Sequence, residues 1–192
     1  MKINITKIFS IAIFTFLFSI TTSTIAAPQV FVQQYGFNET GALKQPLTIA
    51  FDSANTKEIT ATLSPNDESH RTLLVAFPMG EKIFAKTLTN GYNYGIYKVS
   101  LRRSEMQELL ILSQGKRGTG KTALKEIVII GTDDAGNIVE LPINGFKEVN
   151  VLNSPLQIRS NKTAVLFRDQ IRKMLVIDWN ETNKEFDILG TD

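Results

Sequence analysis

The chain has 192 residues, with 21 lysines and arginines against 19 aspartates and glutamates, one histidine and no cysteine. Without cysteine there are neither disulfides nor thiolate metal ligands, and a lone histidine excludes a histidine metal cluster. So even a charge balance gives no electrostatic reason to expect nucleic acid as the main partner.

Lys2 and Lys7 precede an apolar run, Ile8 to Ile20, of signal-peptide length and too short to span a bilayer comfortably. Thr24 and Ala26 are the small residues of a cleavage site, so residues 1–26 read as a secretory signal, the alternative being an uncleaved anchor. Cleavage removes two lysines and no acid, leaving 19 charges of each sign. The expected product is periplasmic or extracellular, with no transmembrane span after cleavage. Residues 27–192 contain no linker, low-complexity tract or fixed-period repeat, and read as a single β-rich globular domain.

Val30 to Tyr35 alternates apolar and polar residues and predicts a first strand, followed by a loop from Gly36 to Pro46. Leu47 to Phe51 and Glu58 to Leu63 predict two more, with Asp52, Ser53 and Asn55 supplying the turn. Leu73 to Phe77 reads as a buried strand stopped by Pro78 and Gly80, and Lys82 to Leu88 alternates again. Asn90 to Gly95 reads as a loop exposing two tyrosines, and Ile96 to Leu101 as a strand. Ser104 with Gln107 forms a capping box, whose side chains satisfy orphan amides at a helix start, so a short helix is expected to end near Ser113.

Glu126 to Ile130, the turn Gly131 to Asn137, and Ile138 to Ile143 form the clearest hairpin. Val165 to Lys173 fits a second helix or a strand, and Met174 to Trp179 with Glu185 to Leu189 reads as a closing hairpin. The pattern predicts a mainly β fold with one or two short helices, arranged as a single antiparallel sandwich-like domain.

Gly115 to Thr122 (GKRGTGKT) spells a nucleotide-binding loop, in which glycine amides curl around phosphates, Lys121 reaches the outer phosphates and the Thr122 hydroxyl binds magnesium. Met174 to Asp178 would supply the strand ending in a magnesium-binding acid. That fold needs a sizeable helix after the loop, yet only Ala123 to Glu126 separates the motif from the β-branched run Ile127 to Ile130. The stretch therefore reads as a basic surface loop, with Lys116, Arg117 and Lys121 as candidate contacts for another anion such as a lipid phosphate or glycan carboxylate.

Other constellations are weaker. Ser113 and Lys116 fit S-x-x-K without its K-T-G companion, and His70 has no matching nucleophile motif. Asp133, Asp134, Asp178, Glu181, Glu185 and Asp187 lie in or beside predicted turns, where a small hydrolase would use paired carboxylates but solvated turn acids are commoner. Tyr92, Tyr94 and Tyr97 form an aromatic cluster, either a binding platform or strand-end core residues. Asn38, Asn161 and Asn180 begin N-x-Thr sequons. No residue pattern calls for a cofactor.

Val99 and Leu101, the expected helix over Leu109 to Leu112, Gly115 with Lys116, Asp134 with Gly136, and Gly145 with Phe146 resemble the C-terminal half of the invasion-associated locus B family of exported bacterial proteins. The chain departs from that pattern in lacking the family's cysteines, and Asn150 to Asp192 has no counterpart in it. The resemblance implies a β-rich protein at the envelope or host interface, without catalysis. The function expected is an exported interaction protein whose partner is an envelope or host protein. A small hydrolase acting through turn carboxylates, or a nucleotide-binding protein acting through Gly115 to Thr122, is the alternative.

Overall fold

A computed structural model describes residues 30–65, 70–102, 106–116, 120–152, 156–160, 162–168 and 173–190. The expected signal (1–26), the capping Ser104, Arg117 and the sequon Asn161 lie outside them. In chain order the strands are Val30–Phe31 (β1), Gln34–Tyr35 (β2), Leu47–Ala50 (β3), Thr56–Leu63 (β4), Arg71–Met79 (β5), Lys82–Gly91 (β6), Asn93–Val99 (β7) and Glu108–Gln114 (β8). They continue with Lys121–Thr132 (β9), Ile138–Glu140 (β10), Ile143–Asn144 (β11), Val149–Leu152 (β12), Gln157–Ile158 (β13), Ala164–Phe167 (β14), Met174–Asn180 (β15) and Glu185–Gly190 (β16). Among the described residues no helix is long and apolar enough to cross a membrane.

The strands form three sheets: β3-β4-β5-β6, then β10-β9-β8-β7-β2 with β12 also on β9, then β1-β13-β14-β15-β16-β11. Pairing is antiparallel except between β11 and β16. Side chains of a strand alternate between faces, and here that alternation divides the middle sheet between two cores. Leu109 and Ile111 of β8, with Val128 and Ile130 of β9, pack on Leu47, Ile59, Val75 and Phe77 of the first sheet. Leu110, Leu112, Ile127 and Ile129 face the other way, onto Leu166, Leu175, Ile177 and Phe186 of the third. The fold is thus three stacked β layers, whose middle one is covered on both sides.

That arrangement overturns the expected helix: Glu108–Gln114 is a strand with every side chain from Glu108 to Ser113 buried. A short run buried on both faces is apolar without alternation, so its sequence has no period by which to separate strand from helix. Burying each leucine or isoleucine there contributes roughly 1.5–3 kcal/mol, far more than the small helix preference of Glu, Leu and Gln. Of the segment that fitted helix or strand, Ala164–Phe167 is strand.

Two boundaries also move. Val30 to Tyr35 divides into β1 and β2, which join different sheets. Strand β5 continues through Pro78, opposite Ile83; its pairing with β4 ends at Thr60 and Ala76, so beyond that point it runs as an edge, where a missing amide is tolerated.

Candidate functional site

The tyrosine cluster does not exist as an exposed platform. Asn90 to Gly95 is mostly strand, and Tyr94 and Tyr97 are 1% and 3% exposed on opposite faces of β7. Tyr94 Oη lies 2.9 Å from the Arg71 carbonyl and 3.0 Å from that of Leu88, and accepts the Gly91 amide at 3.1 Å. Tyr97 sits in the second core, where burial pushes its hydroxyl up to about 12. Tyr92 stays half-buried, with the Lys116 ammonium 5.8 Å from its ring centre.

The nucleotide motif straddles the hairpin joining β8 to β9. Gly115 donates its amide to the Ala123 carbonyl at 2.6 Å, and Lys121 and Thr122 already belong to β9, opposite Leu152 and Val151. Thr122 is buried, and a strand stands where a phosphate-binding helix N-terminus is required. Lys121 is exposed, and among the described candidate contact residues only Lys116 and Tyr92 are brought together. Ser113 is fully buried, which removes it as a nucleophile, and His70 is exposed.

A different site emerges where the β9–β10 turn faces the β15–β16 turn. Two overlapping lobes, of about 530 and 480 Å³, share Arg102, Thr132, Asp133, Asp134, Trp179 and Lys184. At the cavity's base, Arg102 Nε donates to Glu108 Oε1 at 2.6 Å, and its other nitrogens donate to the Thr132 carbonyl and, at 3.2 Å, to Thr132 Oγ1. The Leu101 amide donates to the second Glu108 oxygen at 2.9 Å. Glu108 is 0% exposed, and burial raises its carboxyl above the usual range against the pull of the Arg102 and Leu101 hydrogen bonds. Gly131 makes the room: a Cβ there would stand 2.7 Å from Leu141 Cδ1 and 3.1 Å from Arg102 Nη2.

Trp179 forms the wall. Its ring meets Phe186 at 4.9 Å and 60°, its Nε1 donates to Glu181 at 2.7 Å, and the Arg102 guanidinium lies 5.8 Å from the ring centre. Lys184 donates to Glu181 at 2.6 Å and stands 3.8 Å from Asp134. Asp133 accepts the amides of Ala135 and Asn137 and the Asn137 side chain, and these bonds hold its carboxyl below the ordinary range. Asp52, on the same lining, is lowered likewise, chiefly by the Asn55 side chain. With Arg102 neutralised by Glu108, the lining keeps Asp52, Asp133, Asp134 and Glu181 against Lys184, an excess of negative charge.

Of the turn acids, Asp133, Asp134 and Glu181 therefore reach one cavity. Glu185 and Asp187 instead accept hydrogen bonds from Asn144, and Asp187 also accepts from Asn180. Acid catalysis by a carboxyl needs both a raised pKa and access to substrate. Glu108 has the first and not the second; Asp52 and Asp133 are shifted the other way. Among the described residues no three His, Cys, Asp or Glu side chains are grouped to hold a metal ion. Nothing in the sequence pairs Arg102 with Glu108, or Trp179 with the distant Asp133 turn; it marks only the acids of both turns. No family model, curated protein or solved structure matches the chain.

Proposed function

We propose that the chain is exported to the periplasm or beyond and acts there by binding, without catalysis, at the bacterial envelope or host interface. In this reading the cavity beside Trp179 receives a basic side chain of an envelope or host protein. The observation that carries it is that the charged groups around the cavity are engaged by the protein itself: Arg102 by Glu108, Glu181 and Asp134 by Lys184, Asp133 and Asp52 by their own turns. Such a set offers a fixed negative field but no reachable nucleophile with its base. An acidic lining favours a cation by its field. The signal-like N-terminus and the resemblance to exported envelope proteins support the same placement.

Trp179 is the chain's single tryptophan, so its emission reports on the cavity directly. Titration with short lysine- and arginine-containing peptides should give a saturable, salt-sensitive change that weakens at least about tenfold in Asp134→Asn with Glu181→Gln. An equal response to neutral peptides, or none at millimolar concentration, would defeat the reading.

A further inference from the structure

We propose that Lys184 is a built-in occupant of the Trp179 cavity: its ammonium holds the cation position in the free chain, and an arginine side chain of the partner enters by displacing it. This role rests on the reading of the cavity as a receptor for a basic side chain. It adds what fills the site before a partner arrives, and which base is selected.

Two cations border both lobes of the cavity. Arg102 is fixed at the base, 10% exposed and held by Glu108. Lys184 instead stands between the two turns that form the site. Its Nζ donates to Glu181 Oε1 of its own turn at 2.6 Å and lies 3.8 Å from Asp134 Oδ1 of the β9–β10 turn. Its backbone has a φ of 56°, in the left-handed region where glycine and asparagine are the ordinary residues, and its amide donates to the Asn180 carbonyl at 2.9 Å. Asparagine would adopt that conformation at less cost; what lysine adds there is an ammonium aimed at the cavity's acids.

The contact is open enough to be exchanged. The side chain of Lys184 is 47% exposed, and those of Glu181 and Asp134 are 55% and 83% exposed. Ion pairs this open contribute little to stability, so a partner's cation can replace the ammonium at small cost to the fold.

The geometry favours arginine as the replacement. An ammonium is a point donor: bonded to Glu181, it stays beyond hydrogen-bond distance of Asp134, which accepts no hydrogen bond among the described residues. A lysine ligand would exchange like for like and leave that acceptor unfilled. A planar guanidinium carries donors on separate edges and can bond two carboxylates at once.

The test is a titration of acetylated, amidated Gly-Arg-Gly and Gly-Lys-Gly into the native protein and into Lys184→Asn, followed by the emission of Trp179, whose indole donates to Glu181. The native protein should bind the arginine peptide at least about threefold more tightly than the lysine peptide. In Lys184→Asn both peptides should bind about three to ten times more tightly, with the melting temperature unchanged or raised. Lys125→Met removes an equal charge paired with Glu148, about 20 Å along β9 from Thr132 and beyond the screening length, and should change neither affinity. Binding that is the same in Lys184→Asn as in the native protein would overturn the displacement and leave the cavity a cation site. So would equal tightening in Lys125→Met. Native binding of lysine as tight as that of arginine would overturn the choice of base. No response from either peptide with either protein at millimolar concentration would overturn the proposal together with the reading of the cavity beneath it.

Discussion

Replacing Arg102 by Met strands the Glu108 carboxylate in the interior. The substitution removes the 2.6 Å charged hydrogen bond to Glu108 and both bonds to Thr132, while Glu108 keeps the bond from the Leu101 amide. Breaking a buried ion pair from one side costs about 3–5 kcal/mol, a large part of the roughly 5–15 kcal/mol that holds a domain folded. The deficit should depend on pH, because the stranded carboxyl can escape by taking a proton. Glu108 already lies above its ordinary value of 4.5 in the folded chain. Its contribution is therefore complete below 4.5 and is lost as pH rises through the folded value. Losing Arg102 raises that value further, so the deficit of Arg102→Met should be greatest near pH 8 and shrink towards pH 5. The double change Arg102→Met with Glu108→Leu removes both charges and should recover most of the loss. Urea unfolding, followed by far-ultraviolet circular dichroism and Trp179 emission, measures all three. A single-variant deficit under about 1 kcal/mol that ignores pH, or a double variant as damaged as the single one, would refute the reasoning.

Two further outcomes follow from the same geometry. Tyr94→Phe leaves the Gly91 amide without its hydroxyl acceptor and should cost about 1–3 kcal/mol in thermal unfolding; Tyr97→Phe, whose hydroxyl has only a 3.4 Å contact to Gln34, should cost less than about 1 kcal/mol. Asp52 and Asp133 are lowered in the folded state, so their contribution holds above 3.8 and is lost as pH falls through the folded values, opposite in sign to that of Glu108. Replacing both by Asn should flatten the acid limb of the stability profile below pH 4 while leaving the neutral region little changed. An acid limb as steep as in the parent would contradict that assignment.

The outer layers were more legible than the middle one, for a physical reason. Strand β4 buries Ile59, Ala61 and Leu63 and exposes the residues between them, so a period of two is written into its sequence. Strand β8 satisfies two cores at once and carries no such period. The Asn and Gly residues around Tyr94 signal a turn, but its ring fills space beneath Gly91, where a Cβ would lie 2.8 Å from it. At the cavity, the acids of the β9–β10 turn could be read locally. Their meeting with Trp179 depends on which hairpins the stacking of sheets brings together, and no local pattern records that.

The doubly covered middle layer also fixes an order of vulnerability during folding. Its first cover, β3–β6, precedes it in the chain, whereas β13–β16 follow it. A chain made or threaded from its N-terminus can close the first core while Leu110, Leu112, Ile127 and Ile129 still lack their C-terminal cover. Until that last segment arrives, the middle sheet is a bare apolar plate with paired strands, the kind of intermediate that sticks to other chains. The C-terminal hairpin is thus the part whose late docking ends the protein's exposure to aggregation.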